Sequence, residues 1–339
     1  MSSRALSLVA CLAMSILGAV VLAGCGGGSG PSSPAQPPGP PSASPSSSAL
    51  IYVTDAGSQS VVAVDPKTLK VIATISLTKP PTGCAANTTG SQVFVLNGTA
   101  NTVSVIDTAT QSVVGTAIDI GSSPAKIVAN PNGSAMYVAD EGGALVATIN
   151  QTTDLQGPSV NAGNVPIGLA INASGTQLYV ANLADQNLVM VDTSTLTVKQ
   201  HGSLGFPPDG VALNSAGTFL YVLNYNSGSV AVVSASSLST IKTVPVGTGP
   251  DGIVAASNGD IYVAVQNDDV VAVIDPSTNA LVAKIGVGFD PGAIAASADG
   301  STVYVANFSS GTVSVIDTST NTATGTIAAG SGPNGVCIQ

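Results

Sequence analysis

The chain has 339 residues, 44% of them hydrophobic and only 8% charged, with a formal net charge of −10. That much apolar chain can build a large core or a repeat array, and it is too hydrophobic for a protein disordered throughout. Beyond Arg4 the cations are seven Lys against 17 Asp and one Glu, so no basic stripe is available to neutralise phosphates and the composition argues against nucleic-acid binding.

Residues 1–24 carry one positive charge, an apolar run from Ala5 to Val21, and then Leu22-Ala23-Gly24 ahead of Cys25. The layout is that of a secretory signal rather than a spanning helix. Its end resembles a bacterial lipobox, which implies a lipidated Cys25 as the mature N-terminus and attachment to the membrane through that lipid alone. Residues 25–48 continue as GGGSGPSSPAQPPGPPSASPSSS after the Cys. Such Pro/Ser/Gly tracts stay extended and solvated, reaching roughly 70 Å at about 3.1 Å per residue. The expectation is a tether holding residues 49–339 outside the cytoplasm, in the cell envelope, facing the periplasm or the exterior.

From residue 49 onward the chain repeats. An aromatic followed by Val recurs at Tyr52, Phe94, Tyr137, Tyr179, Tyr221, Tyr262 and Tyr304, at spacings of 41 to 43 residues. Thirteen residues after each anchor comes Asp65, Asp107, Asn150, Asp192, Ser234, Asp275 or Asp317, a short polar residue that opens a turn by bonding its own backbone. Pro81, Pro124, Pro166, Pro208, Pro250, Pro291 and Pro333 follow about 29 residues after the anchors, and nine residues past the first six lie Gly90, Gly133, Gly175, Gly217, Gly259 and Gly300. Between these turns are runs of four to six Val, Ile, Ala and Tyr residues with little alternation, which suits strands covered on both faces. Four strands in about 42 residues is the size of a propeller blade, so seven units predict an all-β, seven-bladed β-propeller of four-stranded blades.

The phase of the repeats adds a closure. The first unit begins at its second strand, near Tyr52, and the chain ends on PNGVCIQ, which is a first strand. The C-terminal strand is therefore expected to complete the N-terminal blade. Cys84 and Cys337 fall on the inner strands of neighbouring blades, three and four residues after their prolines. One residue of offset turns a side chain to the opposite face, so the two can meet across the seam. A disulfide is the expectation in an oxidising compartment, with two buried thiols as the alternative.

The YV-A/T-N/D anchor, the VSVID strand and the PxG closure resemble the YVTN β-propeller repeat family over residues 50–339. The resemblance implies the fold, and surface proteins among its relatives; related seven-bladed propellers include lactonases and quinoprotein-like enzymes. The residues depart from those enzymes. Phosphogluconolactonase-like propellers use His and Arg near the substrate and quinoprotein propellers use Arg and Trp, whereas residues 49–339 have no Arg, no Trp and one His, His201, placed in an outermost strand. No Ser/His/Asp or Cys/His nucleophile set can be assembled. The favoured function is a non-catalytic binding or scaffold module, a monomer without cofactor, whose partner is an envelope protein or glycan. Two alternatives stay open: a lactonase-like hydrolase with an Asp-lined Ca²⁺ site on the top face, and a periplasmic assembly or redox accessory subunit.

Candidate binding residues come from what breaks the repeat. Asp55, Asn97, Asp140, Asn182, Asn224 and Asn307 end the anchor strands and are expected to cap turns. The sixth unit has Val265 there instead, followed by Gln266, Asn267, Asp268 and Asp269. Asp209 and Asp251 follow their prolines and Asp290 precedes Pro291, gathering acid on one arc. Apart from the anchors and Phe219, the aromatics are Phe206, Tyr225, Phe289 and Phe308, in the top loops of units five and seven. Rings beside carboxylates suit a glycan or a basic segment of a partner.

Overall fold

The computed structural model describes residues 49–339, so the expected signal segment 1–24, Cys25 and the tether to residue 48 lie outside the described residues. Seven four-stranded antiparallel sheets form a seven-bladed propeller. Blade 1 runs outward from the axis as Pro333–Ile338, Ile51–Asp55, Ser60–Asp65 and Lys70–Ser76. Blades 2 to 7 follow in the spans 83–119, 124–161, 166–203, 211–245, 250–286 and 291–328. The C-terminal strand completes the first blade as the repeat phase requires, with Tyr52 opposite Cys337 and Val53 opposite Val336. Cys84 and Cys337 are joined by a disulfide between the innermost strands of blades 2 and 1, their Cα atoms 5.8 Å apart.

The core is divided among the seven seams between blades, with one buried cluster in each. Each cluster contains one anchor aromatic: Tyr52 packs in the seam between blades 1 and 2, Phe94 in the next, and so on round to Tyr304. Burying a ring of this size removes some 150–250 Å² from water, which gives every seam the same large apolar payload and explains the period of the sequence. The second and third strands are buried along nearly their whole length, so their lack of alternation reflects cover on both faces. The outermost strands differ. Lys70–Ser76 and Ala280–Gly286 are largely exposed, because wedge-shaped blades splay at the rim.

The Tyr hydroxyls reach across the seams at the bottom face. Gln111 of blade 2 donates to the Tyr52 hydroxyl at 2.8 Å, the Tyr221 hydroxyl meets Asn279 of blade 6 at 2.6 Å, and that of Tyr262 meets Asn321 of blade 7 at 3.2 Å. Gln111, Asn279 and Asn321 share one position, four residues after the turn-opening Asp, with Leu69, Asp154, Leu196 and Leu238. All seven have φ between 50° and 57°. Burial pushes the Tyr221 hydroxyl up to about 12, helped by the charge of Asp275.

Blade 3 breaks the rule at its rim. Its outermost strand shrinks to Val160–Asn161 plus a bridge from Ile149 to Gln156, because Gly157 and Pro158 interrupt it and Pro has no N–H to offer. Leu155, just ahead of the break, is 66% exposed.

Candidate functional site

The turns after the anchors and the loops that enter each innermost strand share the top face. Of the anchor-end residues expected to cap turns, Asp55, Asp140 and Asn224 do so, while Asn97, Asn182 and Asn307 keep a buried Oδ1 without a hydrogen-bond partner; the two carboxylates also latch the incoming loop. Asp55 accepts from Gly57 and Ser58 in its own turn and from Gly332 at 2.8 Å and Ser331 at 3.1 Å in the loop. Asp140 does the same with Gly143 and Ser122. The loop must bring a glycine against the carboxylate: a Cβ on Gly330, which sits at φ 124°, would overlap Asp55. In blades 2, 4 and 7 an amide stands there instead, as Asn97, Asn182 and Asn307, and its nitrogen donates to Ser104 and Ser314 of the next strand in blades 2 and 7 and to the loop carbonyl of Ala162 at 2.8 Å in blade 4.

Blade 6 lacks this latch. Val265 is buried, and the chain turns through the short 3-10 segment Gln266–Asp268 into Asp269 at φ 54°. Blade 2 has a similar 3-10 turn ending at Asn101, so the device is not confined to the acidic arc. Asp269 Oδ1 accepts from the backbone N–H of Asp290 at 3.0 Å, just as Asn101 accepts from Ser123 and Asp185 from Asn164. Its first task is to hold a loop, a role that sequence reasoning missed although Asn101 and Asp185 sit at comparable places.

Around this turn the structure joins three blades through hydrogen bonds. The Tyr225 hydroxyl of blade 5 donates to Gln266 Oε1 at 3.1 Å. Gln266 Nε2 donates to Asp290 Oδ1, and Ser309 of blade 7 donates to Asp290 Oδ2 at 3.0 Å. Asp290 is the hub of the network, and Gln266 is the member whose role the sequence did not reveal. Asp268 forms an ion pair with Lys284 at 3.6 Å on the exposed side of blade 6.

The four non-anchor rings separate into two kinds. Phe206 packs against the cluster between blades 4 and 5, and Tyr225 is half-buried with its hydroxyl engaged. Phe289 and Phe308 are displayed instead, at 67% and 45% exposure. They stand on two segments clamped together: Phe308 N–H donates to the Asp290 carbonyl at 2.9 Å and Phe289 N–H to Ser310 Oγ at 2.7 Å. The Phe308 ring lies over Gly332, where an added Cβ would come within 3.0 Å of the ring edge. Asp209 and Asp251 lie nearer the axis and take part in interactions of their own. The Asp209 N–H bonds the Leu223 carbonyl, and the Asp251 carboxylate abuts Gly292.

His201 is exposed in the outermost strand of blade 4, remote from this network, and its charge helps to hold the Asp185 carboxyl below its usual value after the stronger hydrogen bonds from Asn164. Among the described residues no three His, Cys, Asp or Glu side chains gather as a metal-holding group.

No family model matches the chain, and no curated protein matches it. Solved structures do. A functionally unknown protein from Desulfotomaculum acetoxidans superposes with a TM-score of 0.75 at 16% identity, over 86% of this chain and 99% of that one. A Bacteroides uniformis protein provisionally named a 6-phosphogluconolactonase gives 0.71 at 15% identity, over 86% and 99%. Kuenenia stuttgartiensis hydrazine synthase gives 0.68 at 16% identity, over 76% and 89%. The likeness is one of fold: these neighbours are β-propellers. At such identity neither a lactone nor hydrazine chemistry passes to this chain.

Proposed function

We propose that the protein is a lipid-anchored, extracytoplasmic binding module of the YVTN-repeat type, non-catalytic and monomeric, which presents the top face of blades 5 to 7 to a ligand in the cell envelope. The observation that carries the reading is the pairing of displayed rings with a network that has no chemistry to perform. Phe289 and Phe308 adjoin Asp290 and Ser309, which Gln266 ties to Tyr225, and the one hydroxyl held by a carboxylate, Ser309 on Asp290, has no histidine to complete a Ser/His/Asp set. The lone His lies elsewhere, on the rim. A lactonase reading would require the arc carboxylates to collect on one Ca²⁺ ion. In this arrangement they are drawn to separate partners: Asp268 to Lys284, Asp269 to a loop N–H, and Asp290 to Gln266 and Ser309.

Two assays test the reading together. Cys25→Ala should abolish metabolic lipid labelling and move the protein from the membrane to the soluble fraction. Purified protein should also retain envelope components in a pull-down while turning over no lactone, with or without added Ca²⁺. Calcium-dependent lactone hydrolysis, or a Cys25→Ala protein that stays membrane-bound, would overturn it.

A further inference from the structure

The top face holds two rings that the fold has no use for. All seven anchor aromatics fill seams, and Phe206 and Phe219 pack into two of the same seams. Phe289 and Phe308 belong to no such cluster; the backbone of each is held by a hydrogen bond, and the Phe308 ring also lies over Gly332. Exposing two phenyl rings forgoes the stabilisation of burying them. Holding the backbone that carries them removes part of the ordering cost of a later contact.

Their surroundings select the occupant. The neighbouring side chains are Ser309, Ser310, Ser331 and Asp290, all hydrogen-bonding groups. Apart from Leu155 at the broken rim of blade 3, the other large exposed hydrophobics, such as Val71, Ile72, Ile241 and Val282, lie on outermost strands. A stable protein partner covers about 800 Å² per side with a contiguous apolar centre, which two rings in a polar field do not supply. A pyranose chain matches the pattern. Each sugar face carries C–H bonds whose partial positive charge suits the negative face of a phenyl ring, and its edge carries groups that seek acceptors such as Asp290. Charge narrows the class further. Asp290 adjoins Phe289 and Asp269 holds its backbone, while Lys284 on the same arc is paired with Asp268, so an anionic polymer is repelled while an ammonium group beside a ring and a carboxylate is attracted.

We propose that Phe289 and Phe308 form a stacking platform for a hexosamine glycan, with Asp290 as the acceptor that orients the sugar's amino or acetamido edge. This deepens the binding-module reading and rests on it.

The test is titration calorimetry of the full chain with a glucosamine hexamer, with its N-acetylated counterpart, and with polygalacturonate as the anionic comparator. The expected order is glucosamine hexamer, then the acetylated form, with no heat from polygalacturonate. Phe289→Ala should weaken binding about tenfold and Phe289→Trp should restore it. Phe308→Ala should act like Phe289→Ala. Asp290→Asn, which keeps a residue suited to positive φ, should erase the preference for the free amine while acetylated hexamer still binds. Melting curves check that each variant is folded. Ring variants that bind unchanged, polygalacturonate that binds as well as the hexosamines, or the absence of heat from both hexosamines would overturn the proposal. If an envelope protein is then retained through this face, the glycan assignment fails while the binding-module reading stands. Lactone hydrolysis would remove both.

Discussion

The bottom face and the top face of this propeller are built from the same seven repeats, yet they have diverged to very different degrees. At the bottom every blade turns through the same position with φ between 50° and 57°, and buried anchor hydroxyls reach the next blade. At the top the anchor-end residue is Asp, Asn or Val, it binds the incoming loop through a carboxylate in blades 1 and 3 and an amide in blade 4, and two rings stand in solvent. Bottom turns are fixed by what the adjoining seam requires. Top loops need only arrive at the next innermost strand, which leaves their side chains free to specialise.

The contrast presupposes a closed ring, and breaking the ring should have the largest effect. Removal of residues 333–339 strips blade 1 of its innermost strand and exposes the edge of Ile51–Asp55. Calorimetry should show loss of the single cooperative transition, and an unaltered melting curve would refute the closure. Next comes a matched pair. Tyr262→Ala empties a seam and should cost about 3–5 kcal/mol in denaturant unfolding, whereas Phe289→Ala on the top should stay within about 0.5 kcal/mol of the parent. Equal costs would abolish the distinction between the faces.

Cys337→Ser should cost about 2–4 kcal/mol, because the link between residues 84 and 337 restrains a long loop in the unfolded chain. Peptide mass spectrometry without reduction should recover the linked pair from exported protein. A smaller, stabilising change is expected at Phe94, the anchor that lacks a hydroxyl. The residue facing it by repeat position is Asp154, whose Oδ2 accepts from Gln92 at 2.8 Å while Oδ1 is buried without a hydrogen-bond partner. Phe94→Tyr should supply that partner and add about 1 kcal/mol, raising the melting temperature by about 2 °C. A drop in stability would show that the seam has no room for the oxygen.

The smallest effect is a pH dependence carried mostly by the bottom turns. Asp65 and Asp107 are held below the usual carboxylate value mainly by backbone N–H groups, Asp192, Asp275 and Asp317 mainly by Ser hydroxyls, and Asp299 falls to about 2 through Ser297. A carboxyl whose folded value is depressed contributes stability above its unfolded value and loses it as pH falls through the folded one. The melting temperature should therefore decline gently from about pH 3.8 towards pH 2. A flat profile in that window would deny these turns any part in stability.

Most of the architecture was legible because it is periodic. The spacing of Tyr52 to Tyr304 marks the seams, and the one-residue offset of Cys84 against Cys337 points them at each other. The site was legible only as a neighbourhood. Residue type and position put Phe206 and Phe289 in equivalent loops, but one ring folds into a seam and the other does not, a choice made by neighbours distant in sequence. The same holds for Asp269, whose hydrogen bond to the loop 21 residues on depends on the turn's geometry. The interrupted rim of blade 3 was signalled by Gly157-Pro158, and the sequence reading passed over it.

The strand order of blade 1 has a consequence in time. Ile51–Asp55 and Pro333–Ile338 are hydrogen-bonded neighbours separated by nearly the whole domain. Blades 2 to 7 contain only consecutive strands, so each can form as soon as its own segment is free. The first blade begun is thus the last finished. Until the final strand arrives the molecule is an open arc with an unpaired edge at one end, prone to pairing with another chain. A chain delivered from its N-terminus would carry that edge through almost the entire period of delivery, so the speed at which the tail docks sets how long the arc stays vulnerable.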